Sequence, residues 1–287
     1  LSALVLALAT DVASSGEPPF GSPQRSAVLA ALRPVVEAHL AAPIGFRAPA
    51  PADGGARLPI VLGANLLPHS VGTSLPAGSL LYNLEQGDTT GPWLTPAYRA
   101  WLDAYPVLDY SQRNAGCLAA LGLPVAGVLE PGYSPALRRL TPAAAPLIDV
   151  LFYGSANPRR RALLAALEAA GLRVRHLFGV YGAERDRAIE LSRLVLNLHF
   201  YETAVFEIVR VVFLLANAIP VVSEGDPGDP DIGALAPGLA LAPYDGLVAR
   251  CVALCRDRAA RQALGRRGFE LIARRPQAAA LRRLFER

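Results

Sequence analysis

The chain of 287 residues has few of the residues that build disulfide-linked or metal-bound domains. Its three cysteines are Cys117, Cys251 and Cys255, and the last two stand at helical i,i+4 spacing on the apolar side of a predicted helix. An odd count with this spacing argues against a disulfide framework and favours small core residues in a reduced, cytoplasmic protein. The four histidines lie far apart in the sequence and none stands near a cysteine, so we expect no metal site.

Long hydrophobic runs and nucleic-acid-binding patterns are also missing. No run approaches the roughly 20 apolar residues that a membrane-spanning helix needs. The opening run LSALVLALAT, residues 1–10, fits either a signal-peptide core without its basic start or a buried strand, and we expect the strand. The net charge of +4 comes from arginines that are scattered along helices and dense near the C-terminus. Because aromatic residues are not interleaved with them, no nucleic-acid partner is expected.

What the sequence does contain is a regular alternation of strand-like and helix-like segments. Predicted strands in the first half are LPIVLGA, GSLLYNLEQ, PVLDYS and VAGVLEPGY, and those in the second half are IDVLFYGS, LRVRHLFG, LVLNLHF, IPVVSE and GLALAP. Helices are predicted between them, with start signals such as Thr95 followed by Pro96. A proline-rich stretch, SPALRRLTPAAAP, separates the halves. This pattern predicts an α/β protein of two Rossmann-like domains facing a cleft, residues 1–141 and 142–287.

The segment FYGSANPRRR places a strand end directly before a helix start. A helix N-terminus offers unpaired N–H groups, Gly154 and Ser155 allow close approach, and Arg159 and Arg160 add bidentate donors, which together suit a pyrophosphate. The dinucleotide fingerprint G-x-G-x-x-G is absent. The alternative is a capped helix with solvated arginines, although arginines at the positive end of a helix dipole need a counter-charge.

The segment LVLNLHFYETAVFEIVRVVFLLANAIPVVSE carries charged residues where a strand passes into a predicted helix over 203–218. His199 follows the strand, and Glu207 is expected in the early part of the helix. A carboxylate there can accept bonds from two vicinal hydroxyls, and a histidine can contact a phosphate or a sugar. The alternatives are a core histidine, a helix-end charge, and an i,i+3 ion pair between Glu207 and Arg210.

The order of these segments resembles that of the group 1 glycosyltransferases over about residues 104 to 275. YPVLDYSQRNAGCLAALGLPVAGVLEPGYSPAL resembles the part that closes the family's N-terminal domain. VLFYGSANPRRRALLAAL resembles its pyrophosphate loop, and the segment from LVLNL to PVVSE resembles its donor-binding strand, helix and strand. GLALAPYDGLVARCVALCRDRAARQALGRRG resembles its closing helices. The resemblance implies the two-domain GT-B fold.

The resemblance also implies an activity, the transfer of a sugar from a nucleotide diphosphate donor to an unknown acceptor, without a metal or other cofactor. The C-terminal domain would hold the donor and the N-terminal domain the acceptor. In LLYNLEQGD, Glu85 follows a strand and is a candidate catalytic base, the alternative being an exposed loop glutamate. His199 is the other candidate for a catalytic contact. The expected donor-binding residues are Gly154, Ser155, Arg159, Arg160, His199, Glu207 and Arg210.

The sequence departs from the family pattern in ways that leave several alternatives open. Retaining members carry two glutamates separated by seven residues, but His199 stands at the first position, so retention or inversion of the sugar stays open. Arginines 159–161 replace the usual lysine. The acids of EGDPGDPD, 224–231, suggest either a metal site or a mobile loop lining the donor pocket, and we expect the loop. A nucleotide-sugar epimerase and a non-catalytic nucleotide-sugar-binding module are the alternative functions.

Overall fold

The computed structural model describes residues 60–62, 64–66, 75, 79–86, 94–123, 125–200 and 205–285. The strand predicted at 1–10 and a helix predicted at 22–41 lie outside these residues.

The chain divides into two compact units after Val128, earlier than the predicted boundary after residue 141. The reason is that the proline-rich segment packs with the second unit. The N–H of Tyr133 donates to the carbonyl of Arg275 at 2.8 Å, and the N–H groups of Arg139 and Leu140 both donate to Oδ1 of Asn217 at 2.8 Å.

The first unit contains a sheet of parallel strands that follow one another in chain order. They are β1 Ile60–Leu62, β2 Leu80–Asn83, β3 Val107–Asp109 and β4 Gly127–Val128. The helices are α1 Pro96–Ala104 and α2 Gln112–Ala120, and a 3-10 turn, Ala64–Leu66, follows β1. The predicted start signal at Thr95 is confirmed, because its hydroxyl accepts a bond from the N–H of Tyr98. The hydroxyl of Ser111 caps α2 in the same way by accepting a bond from the N–H of Asn114. Trp101, Leu81 and Leu118 are almost fully buried in the core of this unit.

The second unit contains a five-stranded parallel sheet in the order β6-β5-β7-β8-β9. Its strands are β5 Ile148–Tyr153, β6 Val174–Leu177, β7 Ser192–Asn197, β8 Val221–Glu224 and β9 Ala240–Ala242. Its helices are α3 Pro158–Ala169, α4 Gly182–Glu190, α5 Ile208–Ala216, α6 Leu247–Arg256, α7 Arg258–Ala273 and α8 Gln277–Phe285, with 3-10 turns at Pro135–Leu137, Gly233–Gly238 and Tyr244–Gly246. The α/β class with parallel sheets is as predicted.

The central strands of this sheet explain why the sequence reads as continuous hydrophobic runs. Val150, Leu151, Leu194 and Val195 have no exposed surface, so consecutive residues of β5 and β7 are buried on both faces of the sheet. The predicted core positions of Cys251 and Cys255 are confirmed on the buried side of α6. Burial raises the pKa of Cys251 to about 12 and that of Cys255 to about 11.

One predicted helix is shorter than the sequence suggests. The segment 203–218 was expected to be helical, but α5 begins at Ile208 and Glu207 precedes it with φ −76° and ψ 56°. Placing Glu207 inside the helix was therefore wrong. The physical reason is that its side chain bonds to the end of β7 and caps no helical N–H group. Within the described part of the chain, no helix is long and apolar enough to cross a membrane.

The C-terminal end of α5 carries an alanine where a glycine is usual. The N–H of Ala218 donates to the carbonyl of Leu215 at 2.9 Å, and that of Ile219 donates to Leu214 at 3.0 Å. This pair of bonds is a Schellman motif, which needs a left-handed residue. Ala218 has φ +55°, and Gly122 takes the same position after α2 with φ +74°.

Replacing Ala218 with glycine should therefore stabilise the protein. The left-handed conformation costs a non-glycine residue about 1–2 kcal/mol. Glycine also increases the conformational entropy of the unfolded chain, which reduces the gain in folding stability by about 0.4–1 kcal/mol. Urea unfolding should show Ala218→Gly to be more stable by about 0.5–1 kcal/mol.

The matched control is Gly122→Ala, where the nearest atom to a new Cβ is Nη2 of Arg99 at 3.9 Å. Its effect is therefore purely conformational, and it should destabilise the protein by a similar amount. A loss of stability in Ala218→Gly would mean that the methyl group of Ala218 contributes packing that outweighs the backbone strain.

Candidate functional site

The order of the strands in the second unit indicates which edge of the sheet is the candidate ligand site. After β5 the chain forms β6 on one side, then crosses back to form β7 on the other side of β5. Ligands of parallel α/β sheets bind outside the carboxyl ends of the strands where the direction of the strand order reverses. The segments that meet at this edge are the turn after β5, with Gly154 and Ser155, and the end of β7, with Asn197 and His199.

Arg160, in the first turn of α3, holds these segments together. The backbone N–H of Arg160 donates to Oδ1 of the helix cap Asn157 at 2.9 Å. Its guanidinium donates to the carbonyls of Ser155 at 2.8 Å and His199 at 3.2 Å, and also to that of Leu198. The side chain is only 4% exposed. Arg160 therefore joins the turn after β5 to the end of β7 from inside the protein.

The charge of Arg160 is balanced by Glu207, whose Oε1 lies 3.5 Å from its Nη2. Burial lowers the pKa of Arg160 to about 10, and Glu207 opposes this effect. The guanidinium therefore stays charged at neutral pH. Glu207 supplies the counter-charge that the arginine run requires. It contacts Arg160 and His199 and does not form the i,i+3 ion pair with Arg210 that was the alternative interpretation.

Arg159 is bound to the end of the neighbouring strand β8. Its guanidinium forms a two-pronged ion pair with Glu224, with one Nη1–Oε2 distance of 2.9 Å. It also lies 4.1 Å from the ring centre of Tyr244, whose hydroxyl donates to the carbonyl of Arg159 at 2.7 Å. Sequence reasoning missed Glu224 as this partner. The usable signal was the need of the arginine run for a counter-charge.

His199 and Glu207 form a hydrogen-bonded pair at the end of β7. Nδ1 of His199 lies 3.1 Å from Oε2 of Glu207, and Nδ2 of Asn197 donates to the same oxygen at 3.0 Å. Burial disfavours the charged imidazole, but the bond to Glu207 outweighs burial and raises the pKa of His199. Burial likewise opposes the charge of Glu207, yet His199, Arg210 and Arg160 together lower its pKa. The pair is therefore a charged one at mildly acidic pH.

Arg210, in the first turn of α5, borders a cavity beside Gly154. Its Nη1 donates to Oδ1 of Asn197 at 3.0 Å, and its guanidinium lies 5.0 Å from the ring centre of Tyr153. A Cβ on Gly154 would come within 3.2 Å of its Nη2. The cavity has a volume of about 360 Å³, and its lining residues include Gly154, Ser155 and Arg210. Phe178 and Tyr181 also line it and are 70% and 53% exposed.

All the predicted donor-site residues thus lie at one edge of the second sheet, although their roles stay predictions. Glu85 lies in the first unit, at the end of β2, where Oε1 accepts a bond from Nδ2 of Asn65 at 2.8 Å. Burial raises the pKa of Glu85, and the bond from Asn65 opposes this rise. Glu85 is therefore half-buried and not a freely solvated loop residue.

Carboxylates of the segment 224–231 accept hydrogen bonds from their own loop and from Arg159. The carboxylates of Asp226 and Asp229 accept bonds from the N–H groups of Gly228 and Asp231 at 2.6 and 2.9 Å. Among the residues that the structure describes, no three His, Cys, Asp or Glu side chains lie together in a way that could hold a metal ion.

Comparison with known sequences gives one partial match. No family model matches the chain. The uncharacterised protein L138 of Acanthamoeba polyphaga mimivirus is 33% identical over 107 residues, which are 36% of this chain and 12% of that protein. The match therefore covers a small part of a much longer relative.

Comparison with solved structures identifies the fold. TarM is similar with a TM-score of 0.52 and 11% identity, over 72% of this chain and 49% of TarM. Sucrose-phosphate synthase from Thermosynechococcus elongatus is similar with a TM-score of 0.54 and 15% identity, over 94% of this chain and 81% of its own. The fold is that of the GT-B glycosyltransferases. HepE from Anabaena, solved in complex with UDP, is similar over 72% of this chain and 71% of HepE, with a TM-score of 0.52 and 13% identity. This chain spans about half of TarM, and at these identities the likeness concerns the GT-B fold.

Replacing Glu207 with glutamine should lower the pKa of His199. In the wild type the bond to Glu207 raises that pKa above its ordinary value of 6.5. Without the carboxylate, burial dominates and the pKa should fall below 6.5. NMR titration of the His199 imidazole resonances in the wild type and in Glu207→Gln measures both values. An unchanged His199 titration would mean that the pair is not charged in solution.

The same pair should make stability depend on pH. The raised pKa of His199 contributes stability that is complete below 6.5 and lost as the pH rises through its folded pKa. The lowered pKa of Glu207 contributes stability that is present above 4.5 and lost as the pH falls through its folded pKa. Both contributions are complete between pH 4.5 and pH 6.5, so the difference in unfolding free energy between wild type and Glu207→Gln should be largest in that range.

Proposed function

We propose that this chain is a glycosyltransferase that moves a sugar from a nucleotide diphosphate donor to a nucleophilic acceptor, with the donor bound by the second unit. The observation that carries the proposal is Arg210. Its guanidinium borders a cavity next to Gly154, at the strand-order reversal of a GT-B fold, and Asn197 holds it in place. The UDP and UDP-glucose complexes of HepE support a nucleotide-sugar donor.

The diphosphate is proposed to lie between Arg210 and the turn after β5. Among the described residues Arg210 makes one hydrogen bond, from Nη1 to Asn197, which leaves Nη2 and Nε able to donate to phosphate oxygens. Gly154 has φ +134° and no side chain, so the phosphates can approach the backbone closely. Arg159 and Arg160 donate to Glu224 and to strand-end carbonyls, and Glu224 and Glu207 pair with their charges. The proposal therefore assigns the direct contact with the diphosphate to Arg210.

The ribose is proposed to bind Glu207. Its Oε2 already accepts bonds from His199 and Asn197. Among the residues that the structure describes, its Oε1 has the ion-pair contact with Arg160 at 3.5 Å and no further bond. A carboxylate oxygen can accept two hydrogen bonds, so Oε1 has capacity for sugar hydroxyls. His199 is proposed to lie beside the donor phosphate or sugar.

The base is proposed to occupy the cavity beside its aromatic lining residues. Exposed apolar surface that lines a cavity is one mark of a ligand-binding groove. Phe178 and Tyr181 stand at the rim of a cavity of about 360 Å³ and offer flat surfaces on which a heterocycle can stack. In this proposal the base, the diphosphate and the ribose all contact the second unit.

In the transfer step the bond between the anomeric carbon and the diphosphate oxygen breaks, and a bond from that carbon to the acceptor atom forms. The diphosphate leaves with the electron pair, and Arg210 stabilises the charge that develops on it. The acceptor loses a proton to a base, for which Glu85 of the first unit is the candidate. The mechanism needs neither a metal nor a further cofactor, and the protein is proposed to be cytoplasmic.

The proposal predicts that donor turnover continues when metal ions are removed. Wild-type protein incubated with UDP-glucose, or with GDP-, ADP- or TDP-linked sugars, should release the nucleoside diphosphate by transfer or slow hydrolysis. The rate should stay the same in EDTA because guanidinium groups supply the counter-charge. Glu207→Gln should lower the rate about tenfold or more, since charge-assisted bonds are roughly twice as strong as neutral ones. Glu168→Gln, an exposed change on α3, is the matched control.

Each other outcome identifies a different protein. Loss of turnover in EDTA, restored by manganese or magnesium, would reject the metal-free mechanism and turn attention to the acids of 224–231. An isomerised sugar nucleotide without nucleotide release would identify an epimerase. A raised melting temperature with UDP-glucose, but no turnover, would identify a binding module.

A further inference from the structure

A network of buried polar side chains lies at the carboxyl ends of the strands of the first unit. Asp109, at the end of β3, has no exposed surface, and neither has Asn114 of α2. Asn83, at the end of β2, is 1% exposed. Oδ2 of Asp109 accepts bonds from Nδ2 of Asn83 at 2.6 Å and from Nδ2 of Asn114 at 2.8 Å. Three buried groups from three elements therefore meet at one carboxylate.

The network converges on the main chain of Glu85. Nδ2 of Asn83 and Nδ2 of Asn114 both donate to the carbonyl of Glu85, at 2.8 and 2.9 Å. The N–H of Glu85 donates back to Oδ1 of Asn83 at 3.0 Å. The same Oδ1 accepts the hydroxyl of Tyr98 at 2.5 Å. Both polar groups of the Glu85 backbone are thus fixed by buried side chains.

The charge of Asp109 determines the direction of both asparagine amides. A carboxylate only accepts hydrogen bonds, so each amide must turn its NH₂ group toward Asp109. The second N–H of each amide then reaches the Glu85 carbonyl. Oδ1 of Asp109 accepts the N–H of Ser111 at 2.9 Å, which fixes the carboxylate itself. The orientation is therefore transmitted from Asp109 through two amides to Glu85.

The side chain of Glu85 lies at the carboxyl ends of three neighbouring strands. Asn65, which follows β1, donates to its Oε1, and the fixed backbone follows β2 beside the end of β3. In parallel sheets this is the edge where ligands bind. A half-buried carboxyl whose backbone cannot move keeps its degree of desolvation, and burial raises the pKa of Glu85. A base is most effective when its pKa is moved toward the working pH.

We propose that Asp109, Asn83 and Asn114 are positioning residues that hold Glu85 as the base for the acceptor. The proton of the acceptor hydroxyl passes to the Glu85 carboxylate as the acceptor oxygen bonds to the sugar carbon and the diphosphate leaves. The inference rests on the proposed transfer reaction for the role of Glu85. The positioning itself is a property of the free protein and is measurable without any substrate.

The test measures the titration of Glu85 in the free protein, by NMR of ¹³C-labelled glutamate carboxyls assigned with Glu85→Gln. Asn114→Ala removes one of the two bonds to the Glu85 carbonyl and loosens the backbone. Water should then reach the carboxyl, and the pKa of Glu85 should fall toward its ordinary value of 4.5. Asp109→Asn, which keeps the shape but removes the charge that orients both amides, should act in the same direction and serves as a second variant if Asn114→Ala does not fold.

Gly122→Ala is the control for a general loss of stability. It strains the opposite end of α2, far along the helix from Asn114, and should leave the Glu85 titration unchanged. If Glu85 titrates identically in wild type, Asn114→Ala and Asp109→Asn, the positioning is refuted. If Gly122→Ala shifts the titration as much as Asn114→Ala does, the network is merely structural.

Turnover tests the second half of the inference. Glu85→Gln should lower kcat about a hundredfold or more with little change in the donor KM, the range that general bases contribute. In Asn114→Ala the acid limb of the kcat/KM profile should move to lower pH together with the Glu85 titration. A fully active Glu85→Gln would refute the role of base. If wild type turns over no nucleotide sugar, the proposed function fails and the proton role with it, while the titration still decides the positioning.

Discussion

The contacts of the buried Arg160 guanidinium are the interactions on which the candidate site of the second unit depends. It bonds to carbonyls at the ends of β5 and β7 and lies beside Glu207. A buried charge is stable only when it is paired and hydrogen-bonded, and leaving one uncompensated costs about 3–5 kcal/mol. The two strand ends and Glu207 must therefore keep their places as one rigid group. The positions of these groups are therefore set by the fold of the protein itself.

The consequence is a division of labour among the arginines at this edge. Arg159 is held by Glu224 and Tyr244, and Arg160 by backbone carbonyls, so both stabilise the protein's own structure. Arg210 is oriented by Asn197 and faces a cavity. A guanidinium oriented in advance loses little freedom when it binds a phosphate, which favours affinity. In the first unit, buried amides fix the backbone of Glu85 in a comparable way.

Much of the fold could be predicted from the sequence because its signals are local. The alternating runs, the Thr95 and Asn157 caps and the hydrophobic strands β5 and β7 depend on neighbours within a few residues. The predicted start of α5 was wrong because the side chain of Glu207 bonds to Asn197 at the end of β7, and the helix begins only after Glu207. The boundary after residue 141 differed because Asn217, far along the chain, binds the segment predicted to be a linker.

The candidate site divides in the same way. Its residues could be found because each follows a strand or begins a helix, and parallel strands bring those positions to one edge. Their partners could not, since Arg159 meets Glu224 across 65 residues and Asn114 meets Glu85 across 29. The resemblance indicated which segments to examine, but it could not distinguish an arginine that supports the backbone from one that borders the cavity. That distinction depends on which acceptors surround each guanidinium in the folded chain.

Calorimetric binding of UDP and of uridine to Arg160→Met and Arg210→Met tests this central distinction most directly, with the exposed change Arg161→Gln as control. If Arg210 meets the diphosphate, Arg210→Met should weaken UDP binding about tenfold or more, equal to about 1.4 kcal/mol, and leave uridine binding almost unchanged. Arg160→Met should weaken both ligands alike, because it removes the support of the whole edge. A selective loss of UDP binding in Arg160→Met, with normal UDP binding in Arg210→Met, would contradict the account and make Arg160 the phosphate ligand.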